Sequence, residues 1–328
     1  MQVVIIGAAG MVGRKLAARI VRDGGLHGRE ITDLTLFDVT APPVPDGFSG
    51  RVATLAGDIA DAATMARLVA LRPDLIFHLA AIVSGEAETD FDKGYTVNLD
   101  GTRNLLEAIR QEGVREPYRP RLVFTSSTGV FGAPFPDRIG DEFFATPRTS
   151  YGAQKAMGEL LLADYARKGF VDGIGIRLPT VCIRPGRPNK AASGFFSNIL
   201  REPLIGQEAV LPVAEDIRHW HVSPRRAVGF LIHAAGLDME RVGHRCILNM
   251  PGLSATVGEQ IEALRRVAGS KAVALIRHEH DPVIADIVAG WPRDFAPIRA
   301  RELGFVADDS FDEIIRIHIE DELGGELP

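Results

Sequence analysis

The apolar run at residues 3–6 stops at Gly7, and two more glycines, Gly10 and Gly13, follow in the spacing G-x-x-G-x-x-G. Beyond them an apolar pattern of helical period continues over residues 11–21. A strand that enters a glycine turn and leaves it as a helix restricts the fold more than any other feature of the chain. Gly7 allows the sharp turn, Gly10 admits a ligand close to the backbone, and Gly13 lets helix and strand pack tightly. The first helical amides, at Met11 and Val12, then face an anion such as a diphosphate. Three glycines alone also suit a turn without function. The surrounding pattern decides between the two.

Further short apolar runs occur at 34–37, 75–78, 122–125 and 174–178, with a helix-length pattern at 98–111 between two of them. Runs of about four to six apolar residues bounded by Gly, Pro or charge suit strands buried on both faces. Their alternation with helices predicts an α/β Rossmann fold, a doubly wound parallel sheet with helices on both sides. The regularity fades after residue 181, and a Pro- and Gly-containing loop is expected at 185–190. The expected organisation is a Rossmann domain over 1–181 and a smaller substrate-binding region over 182–328. A helix at 225–236 and a strand at 245–249 imply that part of 219–251 returns to the first domain.

A net charge of −6 with no block of Lys and Arg argues against a nucleic-acid partner. Cys182 and Cys246 are the only cysteines, which is neither a disulfide framework nor a zinc site, and no metal is expected. No apolar run approaches the ~20 residues of a membrane span, and the apolar start reaches glycine too soon for a signal peptide. The expectation is a cytoplasmic protein with no membrane partner.

The second apolar run ends in Asp38, at about the distance where an acid contacts an adenosine ribose. An acid there repels the extra phosphate of NADP, so NAD is the expected cofactor. Asp58 and Ile59, after a third short strand, are candidates for the adenine. Together with His78, Leu79, Ala80 and Ala81, then Asn98 to Thr102, then Ser126, Ser127 and Thr128, and a Tyr151-x-x-x-Lys155 pair, this series resembles the extended short-chain dehydrogenase/reductase family over residues 1–182.

The resemblance implies a division of roles. Ser127 would bind a substrate hydroxyl, with Ser126 beside it. Tyr151 would be the general base, and Lys155 would lower its pKa and hold the nicotinamide ribose, with Asn98 in support. Ala80, Ala81 and the segment Pro179, Thr180, Val181 would line the cofactor. Taken alone, Tyr and Lys four apart are ordinary neighbours on one helix face. A phenol with a pKa of about 10 needs a drop of about three units, roughly 4 kcal/mol, to work near neutrality. One positive charge at about 4 Å and effective dielectric about 20 supplies that much.

The same resemblance narrows the substrate. Dehydratases of the family carry Thr-Asp-Glu where Ser127, Thr128 and Gly129 stand, so dehydration is set aside. Epimerases often carry an Arg-Asp-Tyr-Ile-His-Val-like segment. Here Arg218, His219, Trp220, His221 and Val222 match at the His-Val end, with the arginine displaced by one place. The region from Trp291 and Pro292 to Phe305 is similar to threonine-dehydrogenase-like members, where a tryptophan closes over a compact substrate. The expected reaction is oxidation of a small, four-carbon-type sugar acid from 2-hydroxy to 2-keto acid with NADH formed. A nucleotide-sugar 4-epimerase and a catalytically inactive dinucleotide-binding regulator are the alternatives. Ser84 is expected at the cleft. Arg184, Arg187, Lys190 and Arg218 are candidates for the carboxylate, each equally a solvated loop charge, and Trp291 and His221 suit core and site equally. Leu105, Leu106, Leu160, Leu161 and Leu162 exceed one apolar stripe, and by resemblance their helices would pair in a homodimer.

Overall fold

The computed structural model describes residues 1–186 and 192–327. Its central sheet has seven strands: β1 (Gln2–Ile6), β2 (Asp33–Asp38), β3 (Arg51–Ala56), β4 (Leu75–His78), β5 (Arg121–Ser127), β6 (Asp172–Leu178) and β7 (Ile247–Asn249). Their order across the sheet is β7-β6-β5-β4-β1-β2-β3, and the ladders from β3 through β5 are parallel. The apolar runs are continuous because β1, β2 and β4 are covered on both faces: Val3 to Ile6 are at most 2% exposed, and Leu34, Leu36 and Phe77 are fully buried.

The order positions the site. The chain builds β1, β2 and β3 to one side and then crosses back to lay β4 on the other side of β1. Ligands bind at such a switch point, outside the carboxyl ends of the strands. Ile6 is in register with Phe37 and with His78, so Gly7, Asp38 and Leu79 leave the sheet at the same level.

The chain divides into two compact units. The first, 1–130 with 149–177 and 228–248, contains most of the central sheet and the helices α1 (Met11–Asp23), α2 (Gly101–Arg115) and α3 (Ser150–Arg167). The second comprises 131–148, 178–227 and 249–328. It has a three-stranded sheet of Thr180–Val181, Arg218–Val222 and Leu253–Thr256, with the middle strand parallel to the first and antiparallel to the last. Helices Gly194–Leu204, Val257–Val273 and Phe311–Glu322 pack Phe196, Ile199, Leu264 and Ile315 into its core. The helix Val257–Val273 starts with a capping box, Thr256 and Glu259 each satisfying the other's backbone N–H.

The predicted helix at 225–236 is Pro224–Ala235, and the strand at 245–249 is β7. The pattern at 98–111 is a π-helix, Tyr95–Asp100, running into α2. Of the leucines expected to face a partner, Leu105, Leu106 and Leu162 are at most 1% exposed and fill this chain's own core, and Leu161 packs against the same cluster. The helices carry a wide apolar face because the sheet buries two rows of it. Leu160, 72% exposed, is the one that points outward.

Candidate active site

The glycine turn fits a dinucleotide by what it leaves out. Gly7 has φ +93°, and a Cβ there would lie 2.6 Å from the Ala80 nitrogen. A Cβ on Gly13 would lie 2.2 Å from the Gly7 carbonyl oxygen, so α1 sits on the turn only with glycine at that place. Gly10, exposed, is the N-cap of α1; no side chain caps that end and no acid occupies its first turn. The amides at Met11 and Val12 and the positive end of the helix dipole are therefore offered to an anion. Asp38, at the end of β2, accepts from the Ala9 amide at 2.9 Å and so lies against the same turn. Ala80 donates its N–H to Ile6 beside it. Asp58 is exposed and closes a local turn onto Ala60, while Ile59 is 2% exposed and packs in the core of the first unit.

On the next strands the structure brings Ser127 and Tyr151 together. A Cβ built on Gly129 would lie 3.3 Å from Ser127 Oγ and 3.6 Å from Tyr151 Cδ1. Ser127 Oγ accepts from the Gly129 amide at 3.0 Å. Thr149 caps α3 by accepting from Gly152, which sets Tyr151 in the first turn. Lys155 is 3% exposed; its Nζ donates to the Thr125 carbonyl at 2.9 Å and lies 4.9 Å from the Phe124 ring centre and 5.9 Å from that of Tyr151. Burial pushes the Lys155 ammonium down to about 8, and the Glu159 carboxylate opposes that shift.

Asn98 lies in the π-helix, a form often found at functional places. Its Oδ1 accepts from the Ile82 amide at 2.7 Å, and its Nδ2 donates to the Ile82 carbonyl at 3.1 Å and to Gln154 Oε1 at 2.7 Å. One side chain thus ties the segment after β4 to α3. Ser84 starts a short helix, Ser84–Thr89, just beyond.

In the second unit, Thr180 and His219 meet at 2.7 Å through Oγ1 and Nε2, and His219 Nδ1 lies 2.9 Å from the Pro292 carbonyl oxygen. Burial pushes His219 down to about 4, so the ring is neutral near pH 7. A carbonyl only accepts; the proton therefore sits on Nδ1, and Nε2 accepts from the Thr180 hydroxyl. Trp291 is half-buried, its ring 5.2 Å from that of His219. Pro179 and Val181 are buried on either side of Thr180. His221 is wholly buried in the core, beside Gln260. Arg184 donates to the Val181 carbonyl and to Ser193 Oγ, and its charge helps hold both His219 and His221 neutral. Arg218 is turned to Ser254 and Glu259. Arg187 and Lys190 lie outside the described residues.

The sequence profile of the NAD dependent epimerase/dehydratase family matches residues 3–224. The chain belongs to that family. It is an NAD-dependent oxidoreductase, and NAD is its cofactor. Among its relatives, a D-erythronate dehydrogenase of Cupriavidus necator is 46% identical over 98% of each chain, and one of Haemophilus influenzae is 43% identical over 98% of this chain and 99% of that one. A solved structure described as the nucleoside-diphosphate-sugar epimerase from Agrobacterium tumefaciens is 66% identical, with a TM-score of 0.98 over 100% of this chain and 96% of that one. L-threonine dehydrogenase from Clostridium difficile, 22% identical with a TM-score of 0.84 over 99% of each chain, shares the fold.

For this family member, reading the sequence did not single out Gln154 or Glu159, and named His219 only within the segment compared with the epimerase pattern, whereas the structure bonds them to Asn98, Ser126 and Thr180. A signal existed for the first two: with Lys155 and Gly158 they form the buried face of α3, a stripe that is polar where a packing helix is normally apolar. For His219 the segment was the signal, while its own partners lie 39 and 73 residues away.

Proposed function

We propose that this enzyme oxidises a small sugar acid of the D-erythronate type at its 2-hydroxyl, giving the 2-keto acid and NADH. The observation that carries the reading is the 46% identity, along 98% of both chains, to a D-erythronate dehydrogenase. Bound NAD supplies the hydride acceptor. In this reading Gly7, Gly10, Met11, Val12 and Gly13 hold the diphosphate, Asp38 the adenosine ribose, and Asp58 and the Ile59 backbone the adenine. Ala80, Ala81, Asn98 and Lys155 line the nicotinamide half.

Tyr151 takes the proton of the substrate hydroxyl, which Ser127 orients, with Ser126 behind it and Ser84 at the rim. The Lys155 ammonium, 5.9 Å from the Tyr151 ring centre, favours the phenolate and so lowers the pKa of the phenol. Residues 1–181 would form the NAD-binding domain and residues 182–328 the substrate-binding region, with part of 219–251 returning to the first. Arg184, Arg218 and Trp291 are the proposed contacts in the substrate-binding region, Arg218 being paired with Glu259.

The Agrobacterium structure's description favours a second reading, a nucleotide-sugar epimerase. Against it, Arg218 is displaced by one place from the epimerase pattern and is bonded internally. The test is NADH absorbance in the presence of NAD: a sustained rise with D-erythronate, or another four- to six-carbon sugar acid, and none with nucleotide sugars supports the dehydrogenase. Interconversion of nucleotide sugars without accumulating NADH overturns it. A cytoplasmic homodimer remains part of the proposal, to be checked by mass-resolved scattering; among the described residues no helix is long and apolar enough to cross a membrane.

A further inference from the structure

Helix α3 grips the end of β5 at two successive residues. Lys155 Nζ donates to the Thr125 carbonyl, and one turn on, Glu159 accepts from Ser126 Oγ at 2.5 Å. Glu159 is 4% exposed, and its carboxylate also receives Nε and Nη2 of Arg177 from β6 at 2.8 and 2.7 Å. Replacing a buried ion pair by apolar side chains of like volume is often neutral or stabilising, so stability alone is a weak reason for this one. Its place suggests another. The residue after Ser126 is Ser127, and one turn back from Lys155 is Tyr151. The two grips therefore set the register in which Tyr151 meets Ser127.

We propose that Glu159 is a positioning residue: through Ser126 and Arg177 it locks α3 against β5 so that Tyr151 faces Ser127, and it keeps the Lys155 ammonium charged. The inference rests on the general-base role given to Tyr151 above. The groups that bear on Lys155 are Glu159 and Tyr151 from its own helix and His78 from β4, while β5 offers only the Thr125 carbonyl and the Phe124 ring. His78 is fully buried and pushed down to about 3, so it stays neutral, and Glu159 supplies the negative charge. Without Glu159 the ammonium gives up its proton at lower pH, and the phenol then needs a higher pH to ionise.

Glu159→Gln takes the carboxylate charge away from the part-buried Arg177 and can fail to fold. The decisive variant is Glu159→Leu with Arg177→Met, which keeps volume and removes both charges. Two readouts apply: the pH profile of kcat/KM with NAD and sugar acid, and the Lys155 titration followed by NMR in lysine-labelled protein without substrate. A charge one helical turn away at effective dielectric about 20 moves a pKa by about one unit or more. The expected result is a Lys155 titration lowered by less than that, because the Arg177 charge that partly offsets Glu159 leaves with it, with the acid limb of kcat/KM raised similarly, while Glu159→Asp stays near the parent. A folded double variant with both properties parental overturns the inference. Should the double variant not fold, Ser126→Ala, which cuts one grip and keeps the charge, decides: lowered kcat with an unmoved Lys155 titration supports it, and parental kcat overturns it. Full turnover in Tyr151→Phe would instead defeat the general-base reading, and the NMR titration, which needs no catalysis, would still report on Glu159.

Discussion

The two units place their side chains by different means. In the first, backbone does most of it: parallel register puts Gly7, Asp38 and Leu79 at one level, and α3 delivers Tyr151 and Lys155 from one turn of helix, with Asn98 and Glu159 adding side-chain ties. In the second, single side chains join distant segments, as His219 joins Thr180 to Pro292. A site built on backbone register leaves short motifs in the sequence. A site tied by long-range side-chain bonds leaves none.

The largest test of this contrast is Tyr151→Phe. It should keep NAD affinity and lower turnover by about 10³-fold, within the usual range for a lost general base; ligand titration and steady-state rates check it, and turnover within a few-fold of the parent refutes the assignment. Next is Gly13→Ala. The added methyl meets the Gly7 carbonyl, and overpacking of this kind costs about 1–3 kcal/mol. NAD should bind up to about 10²-fold more weakly, and unchanged affinity by calorimetry would mean that the turn yields more easily than its geometry implies.

Third come Thr180→Val and His219→Gln. Each removes a hydrogen bond worth about 1 kcal/mol. Each should raise the KM for the acid roughly five- to tenfold, and the double variant should cost less than the sum of the two because they share one bond. Strict additivity would show that the Thr180 bond to His219 does not position the segment.

A last difference between the units lies in acid. His78, His219 and His221 are buried and held neutral, with folded pKa values below the ordinary 6.5. As pH falls below about 6.5 the unfolded chain takes up these protons first, so stability is full above that value and declines toward about 4 and lower. Each histidine contributes about 1.4 kcal/mol per pH unit in that window. With His219 and His221 against His78 alone, amide-exchange protection should decline about twice as steeply in the three-stranded sheet as in the central one. Equal slopes would refute the difference.

Much of the fold was legible because buried parallel strands read as apolar runs and the turn between β1 and α1 cannot do without its glycines. Asp38, Tyr151 and Lys155 stood at spacings set by that backbone. The helices at 257–273 and 311–322 were not read, although capping patterns at Thr256 and Glu259 and at Ser310 and Glu313 mark their starts, since irregular connections separate them. The leucines of α2 and α3 misled for a physical reason: sequence shows how wide an apolar face is, not whether a sheet or a partner covers it.

The chain passes between its two units at 130/131, 148/149, 177/178, 227/228 and 248/249. Neither can be cut out as one continuous piece, and a truncation inside the last segment is the only kind that spares the first unit. Should the second unit carry most substrate contacts, as proposed for Arg184 and Trp291, grafting a relative's specificity onto this enzyme would mean transplanting three separate stretches at once. New substrates are thus more accessible by replacing individual side chains in place than by recombining modules.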